Sequence, residues 1–219
     1  MLIDERHEQA VREMLESIDG ETTVPVYALP REDLSRVVGF NVTRGYFCAM
    51  RRPAELSLDD VLGGATNIAV LVDVVDTTNV GAIFRSAAAL GAAGVVLLGG
   101  CADPLSRRSI RVSMGTVFQV PWVRVGPPDD TGAARALGLI KDAGFACVGM
   151  ALDDEAVPLG HERLKGLGRR AVVLGGEGFG IPPKALAACD EKVMIPMANG
   201  VDSLNVAASS AVAFWELFR

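Results

Sequence analysis

Residues 67–100 read NIAVLVDVVDTTNVGAIFRSAAALGAAGVVLLGG. NIAVLVDVV (67–75) is an apolar, β-branched run of strand length, NVGAIFRSAAALG (79–91) has helical spacing and is closed by Gly91, and GVVLLGG (94–100) is a second apolar run. Strand, helix, strand with no polar face on either strand is the pattern of a parallel sheet covered by helices. The alternation continues outward. QVPWVRV (119–125), FACVGMAL (145–152), RRAVVLGG (169–176) and EKVMIPM (191–197) read as further strands. Helices are expected at Ser106–Met114, at 129–143, from Pro183, and from near Ser203 to the end. In the last of these, Leu204, Ala207, Ala208, Ala211, Val212, Trp215 and Phe218 form one apolar face that must pack on something. The expected class is α/β, a mostly parallel sheet with helices on both faces.

The first sixty residues differ. They read as a charged helix (about 4–18), a strand VPVYAL (24–29), a short helix from Pro30, and GFNVTRGYFCAMRRP (39–53), a small and truncated α/β module. Residues 54–66, rich in Asp, Ser and Gly, read as a linker.

At 219 residues and 50% hydrophobic content the chain can bury a sizeable core. The start MLIDERHEQA lacks the order of a secretory signal, and the long uncharged run 86–102 is broken by four glycines, so a cytoplasmic protein without a membrane span is expected. The four cysteines are widely spaced and form no CxxC or Cys/His set, so no metal site is expected and the thiols should be reduced and buried. With only His7 and His161, both in charged segments, a Ser-His-Asp or Cys-His hydrolase is not expected. Neither GxGxxG after the first strand nor GxxxxGK[ST] is present. The net charge of −6 does not advertise a nucleic-acid binder, yet basic residues cluster at Arg51 and Arg52, at Arg107, Arg108 and Arg111, and at Arg163, Lys165, Arg169 and Arg170.

Three polar insertions follow the carboxyl ends of expected strands, where open α/β sheets bind ligands. One is TTNVGAIFR, with Asn79 either capping a helix or facing a ligand and Arg85 either a surface charge or a ligand contact. The second is LGGEGFGIPP (174–183), glycine-rich like a phosphate loop but with the carboxylate of Glu177 where an anion would be repelled. The third is IPMANGVDSLNVAAS, with Ser203 as helix cap and Asn205 in the first turn, or both at a ligand.

In combination and order, NVGAIFRSAAALG, RVSMGTVFQVP, VLGGEGFGIPP and IPMANGVDSLNVAAS resemble the SpoU/TrmH branch of the SPOUT methyltransferases, over about residues 68–219. The resemblance implies an enzyme that transfers a methyl group from S-adenosyl-L-methionine to a ribose 2′-hydroxyl of RNA, ribosomal RNA before transfer RNA, with a C-terminal trefoil (α/β) knot and a homodimer formed through the knotted domain. It places catalytic roles on Asn79, Arg85, Glu177, Ser203 and Asn205. The cofactor pocket would come from Leu174, Gly175, Gly176, Ile195, Pro196, Met197, Ser203, Leu204 and Asn205. Ser113 and Gly115 match an intermediate motif. The position before the glutamate, often Asn in the family, is Gly176 here. GFNVTRGYFCAMRRP resembles the end of the small RNA-binding domain that often precedes this fold, so residues 1–53 are expected to be a partial RNA-binding module and 67–219 the methyltransferase domain. RNA contacts are expected from Arg44, Arg51, Arg52, Arg107, Arg108 and Arg111. The alternative is a non-catalytic RNA-binding or assembly protein on the same fold.

Overall fold

The computed structural model describes residues 1–18, 24–127 and 130–218. The chain divides into two compact units, Met1–Pro53 and Ala54–Arg219. The expected helix start at residue 129 lies outside the described residues.

In the smaller unit, β1 (Leu2–Asp4) pairs in parallel with β2 (Tyr27–Leu29) and antiparallel with β3 (Tyr46–Phe47). Its described residues also form two α-helices, α1 (Glu8–Glu16) and α2 (Arg31–Val38). The single helix expected over 4–18 is therefore a strand, a one-turn 3₁₀ helix at Glu5–His7 and α1. Asp4 makes the break. Its carboxylate accepts the backbone N–H of Arg6 at 3.2 Å and binds the side chains of Arg6 (2.6 Å) and Arg31 (2.8 Å). That pairing, Arg6 foremost, holds the buried carboxyl well below the usual carboxylate range.

The larger unit carries seven parallel strands among its described residues: β4 (Asn67–Val72), β5 (Gly94–Leu98), β6 (Trp122–Val125), β7 (Phe145–Met150), β8 (Val157–Pro158), β9 (Arg169–Gly175) and β10 (Glu191–Met194), in the order β6-β5-β4-β9-β7-β10-β8. The helices are α3 (Leu58–Leu62), α4 (Thr77–Leu90), α5 (Arg107–Val112), α6 (Asp130–Asp142), α7 (Pro183–Ala187) and α8 (Val206–Leu217). Alternate strand residues feed two cores. Ala69, Leu71, Val95, Leu97, Val172 and Leu174 pack with Val80, Ile83 and Phe84 of α4 and Ala213, Phe214 and Leu217 of α8. Ile68, Val70, Val96 and Val173 pack with Val61 and Leu62 of α3, Leu137 and Ile140 of α6, and Ala185 of α7. Both sheet faces are thus buried, which is why the strands read as unbroken apolar runs.

Several boundaries depart from the sequence reading. Residues 58–62, inside the expected linker, form α3, where Ser57 and Asp60 make a reciprocal capping box and Val61 and Leu62 enter the core. β4 ends at Val72 because Asp73 takes a left-handed conformation (φ 53°) and its carboxylate accepts Gly100 N–H at 2.6 Å. On α8 the buried residues are Ser210, Ala213, Phe214 and Leu217, while Val212 and Trp215 are 40% and 55% exposed, so the expected packing face is largely the outward one. The basic cluster at 163–170 is partly structural. Arg169 donates to the carbonyls of Leu62, Ala65 and Ala143 and lies 4.0 Å over the ring of Phe145; Arg163 pairs with Glu191 and Lys165 with Glu162. All four cysteines are free, but Cys48 is exposed rather than buried. Burial pushes the thiols of Cys147 and Cys189 up to about 12.

Candidate functional site

The carboxyl ends of β9, β7 and β10, neighbours in the sheet, open onto a cavity of about 700 Å³. That volume is within the range of small-molecule sites. One wall is the glycine loop after β9. Gly176 and Gly180 form an antiparallel bridge with Gly180 N–H donating to Gly176 O at 3.0 Å, and Gly178 (φ 93°) and Gly180 (φ 66°) make the turn. Two of its glycines are required by crowding. A Cβ at Gly175 would lie 2.1 Å from the carbonyl carbon of Gly180, and one at Gly176 would lie 2.2 Å from the carbonyl oxygen of Asp73. The departure from Asn at position 176 therefore has a local cause.

Leu174, Gly175, Gly176, Glu177, Ile195 and Met197 line the cavity, as do Ser203, Leu204 and Asn205. Pro196 lies between two lining residues but is not one of them. Met150, Ala151, Leu152, Phe179 and Asp202 also line it and were not anticipated. For the first three, position at the end of a parallel strand was the available signal. Among the described residues the lining holds two carboxylates, of Glu177 and Asp202, and no Lys, Arg or His. With Met150, Ile195, Met197 and Leu204 it offers apolar surface and negative charge, which suits a flat or aliphatic ligand with a cationic centre.

The three polar insertions meet at Asn205. Its side-chain oxygen accepts Ala207 N–H at 2.9 Å, which makes Asn205, not Ser203, the N-cap of α8. Its amide nitrogen donates to Asn79 Oδ1 at 3.1 Å and to Glu177 Oε1 at 2.5 Å. Asn79 in turn is not the cap of α4. Asp76 is, accepting from Thr78 and Asn79 N–H at 2.5 and 3.2 Å, and these bonds lower its carboxyl below the usual range. Freed from capping, the Asn79 side chain is buried (7% exposed) and turned toward Asn205.

Arg85 is not part of this network. It follows Asn79 by six residues, roughly 120° round the helix. It is exposed and makes no hydrogen bond or ion pair with the described residues. Ser113 and Gly115 have structural work. The buried Ser113 hydroxyl donates to Ile110 O at 3.0 Å and accepts Gly115 N–H at 3.2 Å, and Gly115 (φ 85°) turns the chain. Arg44, Arg51, Arg52, Arg107, Arg108 and Arg111 are all exposed, the first three in the smaller unit and the others on α5. Among the described residues there is no cluster able to hold a metal ion, and no helix is long and apolar enough to cross a membrane.

Residues 66–215 match the SpoU rRNA Methylase family. An uncharacterized tRNA/rRNA methyltransferase of Mycobacterium bovis is 40% identical over 203 residues, which are 89% of this chain and 66% of that protein, so the chain spans about two thirds of that relative's length. The 23S rRNA (guanosine-2′-O-)-methyltransferase RlmB of Acinetobacter baylyi is 30% identical over 98% of this chain and 86% of its own. Among solved structures, the SpoU methyltransferase AviRb from Streptomyces viridochromogenes in complex with the cofactor AdoMet superposes with a TM-score of 0.77 at 25% identity, covering 99% of this chain and 80% of that one.

Proposed function

The chain belongs to the SpoU rRNA methylase family, and on that premise we propose that it is an S-adenosyl-L-methionine-dependent RNA methyltransferase that modifies a ribose 2′-hydroxyl, with ribosomal RNA as substrate. The observation that carries this reading is the bridge made by Asn205, which ties the start of α4, the glycine loop and the start of α8 together at the edge of the cavity.

The residues present fit the methyl donor. Glu177 and Asp202 complement a cationic sulfur, the apolar side chains suit an adenine ring, and the glycine loop offers backbone groups for polar contacts. When bound, the donor supplies a methyl group on that sulfur. The protein's part is to hold a ribose oxygen in line with it and to stabilise the charge that develops there. Asn79 and Glu177, fixed through Asn205, orient the ribose, and Ser203 and Leu204 border the donor. A guanidinium stays protonated at ordinary pH, so Arg85 acts as an anchor for a substrate phosphate and as a stabiliser of the developing alkoxide. Its exposure leaves it available for that contact.

RNA affinity comes in this reading from Arg44, Arg51, Arg52, Arg107, Arg108 and Arg111, with residues 1–53 as a substrate-binding module and 67–219 as the catalytic domain. The outward apolar face of α8, with Val212 and Trp215, supports a homodimer. We also infer a C-terminal trefoil knot and a cytoplasmic enzyme.

Calorimetry with S-adenosyl-L-methionine, followed by methyl transfer to unmodified ribosomal RNA, tests the reading. Arg85→Ala is expected to keep donor affinity and to lose turnover by about 10²–10³-fold, the usual loss for a group that stabilises transition-state charge. Failure of the wild-type protein to bind the donor at millimolar concentration would overturn the proposal.

A further inference from the structure

Phe179 stands at the tip of the glycine loop and is 99% exposed. A ring this open to water buries almost no surface and so contributes little to the fold. The loop does not need it either. Its shape is set by the Gly176–Gly180 bridge, by left-handed Gly178 and Gly180, and by the hydrogen bond from Asn205 to Glu177. A polar residue at 179 would serve the turn as well and would not expose a large apolar surface to water.

We propose that Phe179 is a stacking surface for a base of the RNA strand, at or next to the nucleotide being methylated; this rests on the methyltransferase reading above. Phe179 is among the residues that line the cavity. It lies two residues from Glu177, a span of about 7 Å at full extension. A base is attached one sugar ring from its own 2′-oxygen, so a ribose held at Asn79, Asn205 and Glu177 brings its base, or the neighbouring one, into reach of Phe179. Both ring faces are open. The flanking Gly178 and Gly180 leave space, with no atom beyond their own chain neighbours within 4 Å of where a side chain would begin. A flat partner can therefore lie against the ring, as single-stranded bases do on exposed aromatic side chains. A contact with another protein is less well matched, since within the loop the ring is bordered by glycines and a carboxylate rather than by an apolar patch.

The test compares wild type, Phe179→Ala, Phe179→Leu and Phe179→Trp on an unmodified 23S rRNA transcript. Phe179→Ala should raise the KM for RNA roughly tenfold, a stacking contact by alanine substitution, with kcat changed far less, the pattern of a lost uniform binding contact. Phe179→Trp should restore the KM, and its added tryptophan emission should be quenched by the RNA, while Phe179→Leu stays as poor as Ala. Unquenched Phe179→Trp overturns the inference whether or not the protein turns over. Leu as good as Phe would reduce the contact to simple apolar burial and overturn stacking. A change in sedimentation of Phe179→Ala without RNA would show a subunit contact and overturn it too. Wild-type turnover on the same transcript reports on the methyltransferase reading alone.

Discussion

Replacing Asn205 separates two jobs that one side chain performs. Asn205→Ala removes the α8 cap, worth about 1 kcal/mol, and strands the buried Asn79 Oδ1 without its donor, worth about 1–3 kcal/mol. The expected loss is about 2–4 kcal/mol, or roughly 10 °C in melting temperature for a unit of this size. Asn205→Ser keeps an oxygen at the cap and loses only the amide, so it should recover about 1 kcal/mol of that stability without recovering donor binding or activity. Asn205→Asp keeps the cap and places a carboxylate where the amide now lies 2.5 Å from Glu177 Oε1.

Both positions are exposed, so two carboxylates this close repel one another through solvent, which disfavours ionising both in the folded state; the variant keeps its stability in acid and loses part of it as both carboxyls ionise. Asn205→Asp should therefore be destabilised at pH 7 and approach wild type at about pH 4. Urea unfolding followed by tryptophan emission reads this in the larger unit, because both tryptophans, Trp122 and Trp215, belong to it. Equal stability of the Ala and Ser variants would refute the cap. A pH-independent Asp variant with normal donor binding would refute the bridge.

Gly176→Asn, which restores the residue frequent in the resembling family, should cost about 1–3 kcal/mol of stability by overpacking against Asp73 O; unchanged urea unfolding would show that the loop can move aside. Asp4→Asn should loosen the smaller unit at neutral pH, seen as faster proteolysis within residues 1–53. The wild-type unit should do the same in acid. The Asp4 carboxyl is lowered on folding from its ordinary 3.8, so its contribution is full above about pH 4 and disappears as pH falls toward the folded value; identical cleavage of wild type and variant would remove Asp4 from this role. Neutralising Arg108 and Arg111 together should weaken RNA binding and flatten the log–log salt slope by about 1.4, at roughly 0.7 per phosphate contact on single strands. An unchanged slope would take both off the contact surface.

The strands were legible because the sheet is buried on both faces, which leaves runs such as IAVLV at 68–72 without a polar residue. Their ends were not, because they depend on single turns. Asp73 adopts φ 53° and stops β4, and Asp76, not Asn79, takes the cap of α4. β8, with two residues, and β1, with three, are too short to show any period. In the site, the glycine loop could be told from a phosphate loop by Glu177 alone. The bond between Asn205 and Asn79 joins residues 126 positions apart, and no local spacing encodes it.

α8 shows how periodicity can mislead about direction while being right about composition. Its sequence is apolar nearly all round, so helical spacing defines more than one stripe and cannot choose among them. The choice is made by α4, whose Val80, Ile83 and Phe84 take in Ala213, Phe214 and Leu217, and by Ser210, which enters the interior only because its hydroxyl donates to Ala207 O at 2.7 Å. The stripe left outside, with Val212 and Trp215, is what an isolated surface helix would not carry. A helix with one apolar side against its own core and a second that is half exposed offers the face that the homodimer proposed above would cover.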